Sequence, residues 1–243
     1  MHLVRRRIAG FATAMILICL PVSILADSLP DEEISRRITF IQERLDQGTT
    51  TARRWQYSWM LINGGLSYLQ FGMATTLDDK DEEHDRFDNI VGGITGLLGA
   101  GDLAVNPLVA WSAAERLRQL PDTTTDEKIA KLRQGEALLK ACADREEYGR
   151  SWKTHALNGL VNLLAGVAIA CDDNRKGDGA LAFASGMLVS EIQIFTMPTR
   201  AISDWQEYSK RSSNGFTSRR EPFRQNRFFI TANSRQINCS ILF

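Results

Sequence analysis

"NIVGGITGLLGAGDLAVNP", residues 89–107, decides how this chain is read. It is almost apolar enough to cross a bilayer, yet Asp102 interrupts it near its end and Asn106-Pro107 closes it. Gly92, Gly96, Ala100 and Ala104 recur every four residues, which puts small side chains on one face of a helix and lets a second backbone approach. Ala182, Gly186 and Ser190 repeat the device further along. A stripe of this kind serves a thin helix in a soluble bundle as well as a helix in lipid, so length and charge have to separate the two.

Three neighbouring segments share the apolar character: 55–77, 155–171 and 179–197. The stretch between Asp88 and Asn106, and that from His155 to Cys171, are both shorter than the ~20 apolar residues of a span. Segment 55–77 is longer but holds Gln56, Asn63 and Gln70, and 179–197 holds Glu191. An acidic side chain central in a span costs roughly 2.5–3.5 kcal/mol on insertion scales. Topology adds a second test. A leader that delivers Asp27 outside would leave the loops near 78–88 and 172–178 in the cytoplasm. The first of these is strongly acidic, where lysine and arginine should be enriched instead. Both tests favour a compact exported domain with buried hairpins over membrane insertion.

The leader itself reads as a signal peptide. Arg5, Arg6 and Arg7 precede an apolar run from Ile8 to Leu25, and Ala26 stands before a polar start, so cleavage is expected after Ala26. The expected location is therefore the periplasm or the extracellular space, with membrane association allowed.

Internal repetition organises the chain beyond the leader. "DEEI" at 31–34 and "DEKI" at 126–129 are 95 residues apart, and "NGGL" at 63–66 meets "NGLV" at 158–161 at the same separation. Gly92 and Gly186, then Pro107 and Pro198, come next in the same order. The fold expected is all-α: a helical bundle from two tandem three-helix units, 27–120 and 121–210, after a leader at 1–26 and before a poorly ordered, irregular tail at 211–243. In the first unit a helix from Asp31 carries Ile34, Ile38, Ile41 and Leu45 and stops at Gly48. A second runs from about Thr51 to Leu77, and a third from about Asn89, reopening after Asn106 as N-cap. In the second unit the helices begin near Asp126, Tyr148 and Gly179.

Chemistry is sparse. The 29 basic and 29 acidic residues balance, so no nucleic-acid partner is expected; the basic run "SRREPFRQNR" reads as a solvated tail. Cys142, Cys171 and Cys239 follow the leader at irregular spacing, which is no disulfide framework. No HExxH, phosphate-binding loop or nucleophile elbow occurs, and neither acidic loop has the order of a calcium loop. No metal, cofactor or catalytic residue is expected, and an enzyme using buried carboxylates is the third class of function. His84 reads as solvated, and His155 as an interhelical hydrogen-bonding residue.

Four residues stand out as a candidate binding set. Asn63 and Asn158 occupy matching places, each followed by glycine inside an apolar helix. An unmet buried amide costs roughly 1–3 kcal/mol, so each should clasp a partner or meet a ligand. Asp102 and Glu191 fall near corresponding heights; if both were buried and close they would titrate as a coupled pair. The leading function is an exported, non-enzymatic helical scaffold that binds an envelope protein or membrane surface, and assembly with further copies is compatible with it. The rival is a membrane-embedded transport or pore-forming protein.

Overall fold

The computed structural model describes residues 29–77 and 83–214, together with the backbone of 227–233 and 236–242. The proposed leader and its cleavage point lie outside the described residues. Among the described residues between Leu29 and Asn214 every regular element is helical. The long elements are α1 (Asp31–Thr76), α2 (Glu83–Val105), α4 (Thr125–Gly149), α5 (Trp152–Cys171), α6 (Lys176–Phe195) and α7 (Arg200–Asn214). A 3-10 turn (Val109–Trp111) and the short α3 (Ala113–Arg118) follow α2.

The expected stop at Gly48 does not occur: α1 is one helix of 46 residues. Glycine in a helix costs only about 1 kcal/mol, and tertiary contacts offset it here. The next residue, Thr49, bonds through its hydroxyl to Leu45 O and, across the interface, to Ala110 O, both at 2.9 Å. Asp31, Glu32 and Glu33 in the first turn favour the positive end of the helix dipole. In the second half the chain does break, after Gly149. Arg150 leaves helical geometry and donates to Met197 O and Phe195 O, meeting carbonyls that the end of α6 leaves open. The opening of α4 is fastened by a capping box between Thr124 and Glu127.

The buried face of α1 changes character along its length. Ile34, Ile41, Leu45 and Ala52 come first, then Gln56, Trp59, Asn63, Ser67 and Ala74, at steps that keep one stripe. The apolar part packs with α3, α4 and α7 around Leu117, Leu132, Leu139 and Cys142, which are almost fully enclosed. This is a helical domain with an ordinary core. Burial pushes the Cys142 thiol up to about 12, so it behaves as a small apolar side chain.

The remainder of α1 pairs with α2, and α5 pairs with α6, forming two hairpins that project from the domain. Here the sequence expectation of buried hairpins is overturned. Every large exposed hydrophobic side chain among the described residues lies within 57–73, 94–105, 148–167 or 181–195. The reason is volume: α2, α5 and α6 turn mainly glycine, alanine and small polar residues inward, with Leu103, Ile169 and Ile194 the buried exceptions, and leave most of their other leucines and isoleucines at least partly outside.

Two further expectations change. Asn106 caps no helix; its side chain donates to Asp102 Oδ1 at 2.7 Å, and α3 opens at Ser112 without a side-chain cap. The tail is not irregular throughout, since Arg227–Asn233, with Phe228, Phe229, Ile230 and Thr231, pairs antiparallel with Gln236–Leu242, with Ile237 and Ile241.

Candidate functional site

Each hairpin closes on glycine. A Cβ on Gly96 would stand 3.0 Å from Asn63 O, and one on Gly166 only 2.6 Å from Gly179 O, so the backbones touch where the small residues align. Between them sit amides and hydroxyls with their bonds made. Ser67 donates to Gly93 O at 2.6 Å. Asn162, against Gly186, donates to Asn158 O at 2.8 Å and to Ser190 Oγ at 3.0 Å. Gln56, 2% exposed, uses both ends of its amide: Nε2 donates to Leu103 O and Oε1 accepts from Leu108 N. It thereby ties off the frayed end of α2, where the helix leaves carbonyls open.

The two hairpins meet at three places. Asn63 Nδ2 donates to Gln193 Oε1 at 3.1 Å, and the indoles of Trp55 and Trp59 both donate to Thr196 Oγ1. At the far tips Arg175 grips Asp88 through two bonds and also holds Asp172, which accepts from His84 as well. The hydrogen bond with His84 first, and then Arg175, keep the Asp172 carboxyl below the usual carboxylate range. His84, expected to be solvated, is a half-exposed member of this clasp. Asp173 and Asn174 carry the turn in left-handed backbone, which these short polar residues tolerate.

Where the hairpins join the domain, the seam opens into a cavity of about 420 Å³ lined by Trp55, Asp102, Asn106, Arg145, Asn158 and Gln193 among others. That volume lies within the roughly 300–1,000 Å³ of small-molecule sites. A second cavity, about 490 Å³, lies beside α3 and α4, and one of its two cations, Lys131, is committed to Leu120 O and Asp122.

The candidate residues fall around the first cavity unequally. Asn158 and Asp102 line it, and Asn63 reaches it through Gln193. The two asparagines do not bond each other; Gln193 stands between them. Glu191 is elsewhere, bonded at 2.9 Å to His155 Nδ1, the interhelical partner expected of that histidine. The idea of a buried pair of acids is therefore wrong. Asp102 is exposed because the stripe Gly92, Gly96, Gly99 and Leu103 faces α1, and one residue back rotates the side chain by ~100°.

Sequence reasoning missed Gln56, Asn162, Gln193 and Arg145. The amides carried the same signal as Asn63, a polar group in an apolar helix. Arg145 carried none, since it lies in a charged helix and only the fold brings it here.

Beside the cavity, Glu146 is buried and accepts from Ala201 N and Ile202 N, capping α7. Burial pushes its carboxyl up to about 7, opposed by those two backbone bonds and by Arg150. No family model matches the chain, nor does any curated protein or solved structure.

Proposed function

We propose that this is a membrane-embedded, non-enzymatic binding protein of the cell envelope, with both hairpins in the bilayer and the helical domain on the exported side. One observation carries the reading. No Asp, Glu, Lys, Arg or His occurs in 55–77, 89–101, 156–171 or 179–190, the central stretches of the projecting hairpins, with Asp102, Lys153, His155 and Glu191 held toward the domain end, and most of the large apolar side chains of these stretches point outward. Their inward groups are neutral amides, hydroxyls and glycines, the arrangement by which helices associate in lipid.

Other features agree. By length and composition α5, and the stretch opening with α6, suffice to cross a membrane. Where the hairpins leave the domain, Tyr57 packs on Trp111, over which Arg53 lies, and Tyr148, Arg150, Trp152 and Lys153 stand together in the chain at the start of α5, as aromatic and basic anchors do at an interface. The hairpin interior is bonded helix to helix, which favours anchoring over conduction. A duplication fits the same plan: α1 answers α4 plus α5, α2 answers α6, and Ser67 and Asn162, 95 residues apart, both face glycines of the partner helix.

The acidic tips favour a second reading, an exported scaffold whose apolar faces are covered by another copy of the chain. Fractionation separates the two. Membranes washed with alkaline carbonate should retain the full-length chain, and detergent should release it. Release by osmotic shock as a soluble monomer would overturn both readings, and as a soluble oligomer would favour the second.

A further inference from the structure

The seam cavity combines features that the anchoring role does not need. Arg145 and Asp102 both line it, and no ion pair joins them. Asp102 uses Oδ1 for Asn106 and leaves Oδ2 without a donor among the described residues. Arg145 makes one long bond, 3.4 Å from Nη2 to Asn106 O, and its side chain has no carboxylate partner among the described residues. The Asn158 side-chain amide has no bond among the described residues, and only its backbone carbonyl accepts from Asn162 Nδ2. A cation and an anion thus face one space without neutralising each other, beside an unspent amide. From its rim Leu157, Leu160 and Leu164 run along the outside of α5, all exposed.

We propose that the cavity binds the headgroup of a zwitterionic aminophospholipid, an ethanolamine phosphodiester whose acyl chains lie along α5. This rests on the membrane-embedded reading. The phosphodiester accepts from the Arg145 guanidinium and the Asn158 amide. The primary ammonium donates to Asp102. Charge-assisted bonds of this kind are the strong ones in such a site. An anionic glycerol headgroup would bring no cation to Asp102. A choline headgroup carries positive charge but has no N–H to donate, so it too leaves the carboxylate unmet. Free phosphoethanolamine would satisfy both charges and leave the leucines bare.

The test uses the full chain in maltoside micelles, with Trp55 in the cavity wall as fluorescent reporter. Short-chain phosphatidylethanolamine, phosphatidylcholine, phosphatidylglycerol and free phosphoethanolamine are titrated in turn. Phosphatidylethanolamine should bind about tenfold tighter than the other three, the size of one charge-assisted bond. Asp102→Asn should reduce that preference to about twofold, and Arg145→Gln should weaken every phospholipid about tenfold, with helix content unchanged in both. Equal affinity for the three lipids, an unchanged preference in Asp102→Asn, or free phosphoethanolamine binding as tightly as the lipid would each overturn the proposal. If the chain proves soluble without detergent, the membrane reading fails, and the same titration in plain buffer still decides the headgroup question.

Discussion

The two halves of α1 follow one stripe and opposite rules. Up to Ala52 the stripe is aliphatic and buried, while charged residues such as Arg36 and Glu43 face outward. Beyond it the stripe carries Gln56, Asn63 and Ser67, and the outward face carries Leu61, Leu66, Leu69 and Met73. The buried polar groups differ in kind as well. In the domain they are Lys131, Glu146 and Asp204, each ionisable and answered by charge or backbone; in the hairpins they are neutral. A charge withdrawn from water needs a built partner, and an amide needs only a carbonyl. The difference teaches that the domain is organised by water around it, and the hairpins by a surrounding that is not water.

The sharpest way to break this comparison is to remove the same group from each region. Leu117 is completely enclosed between α1, α3 and α4. Leu117→Ala should cost about 2–5 kcal/mol, because lost transfer energy and a residual cavity add. Denaturant unfolding followed by helical circular dichroism reads it. A cost under ~1 kcal/mol would mean the domain core is not where its stability lies.

A second effect should belong to the domain alone. The folded pKa of Glu146, about 7, lies above its ordinary value of 4.5, so the fold prefers the protonated acid. The stability this contributes is fully present below pH 4.5 and is lost as pH rises through 7, a change on the order of 3 kcal/mol. Unfolding should therefore be easier at pH 8 than at pH 5. Glu146→Gln should flatten most of that slope. Asp204, raised by burial despite Arg200 and Arg44, adds a residual slope of the same sign. An unchanged slope in the variant would mean that Glu146 is not the group whose titration the fold opposes.

How much of this was legible in the sequence depends on the same contrast. Helical periodicity located Ile34, Ile41 and Leu45, because in the domain apolar means buried. In the hairpins that equation reverses, and an apolar count alone led to buried leucines. The small-residue stripe located Gly92 and Gly96 at the contact with α1 but also put Ala104 there, which is exposed while Leu103 is buried, and Asn63 was findable as an amide amid apolar neighbours. Gly48 and Gly149 could not be told apart by type: one is carried through by Thr49 bonding across to Ala110 O, the other precedes a break at which Arg150 reaches Met197 O. Both outcomes depend on residues more than forty positions away. Asp102 was misplaced for want of helix phase, and Arg145 for want of any local sign.

The smallest expected effect sharpens the comparison most. Leu164 lies on the outward face of α5 and is 60% exposed, against 0% for Leu117. Leu164→Ala should change unfolding in detergent by no more than ~0.5 kcal/mol, since no packed cavity is left behind. Yet in liposome flotation the variant should enter the lipid fraction slightly less well, because the layer has lost apolar surface that only lipid contacts. If Leu164→Ala instead costs as much as Leu117→Ala, the leucine is packed against protein. The outward face would then be an interface between copies of the chain, and cross-linking through the exposed thiol of Cys171 at the end of the same helix would report the oligomer. A small change in stability together with reduced flotation leaves lipid as the partner of that face.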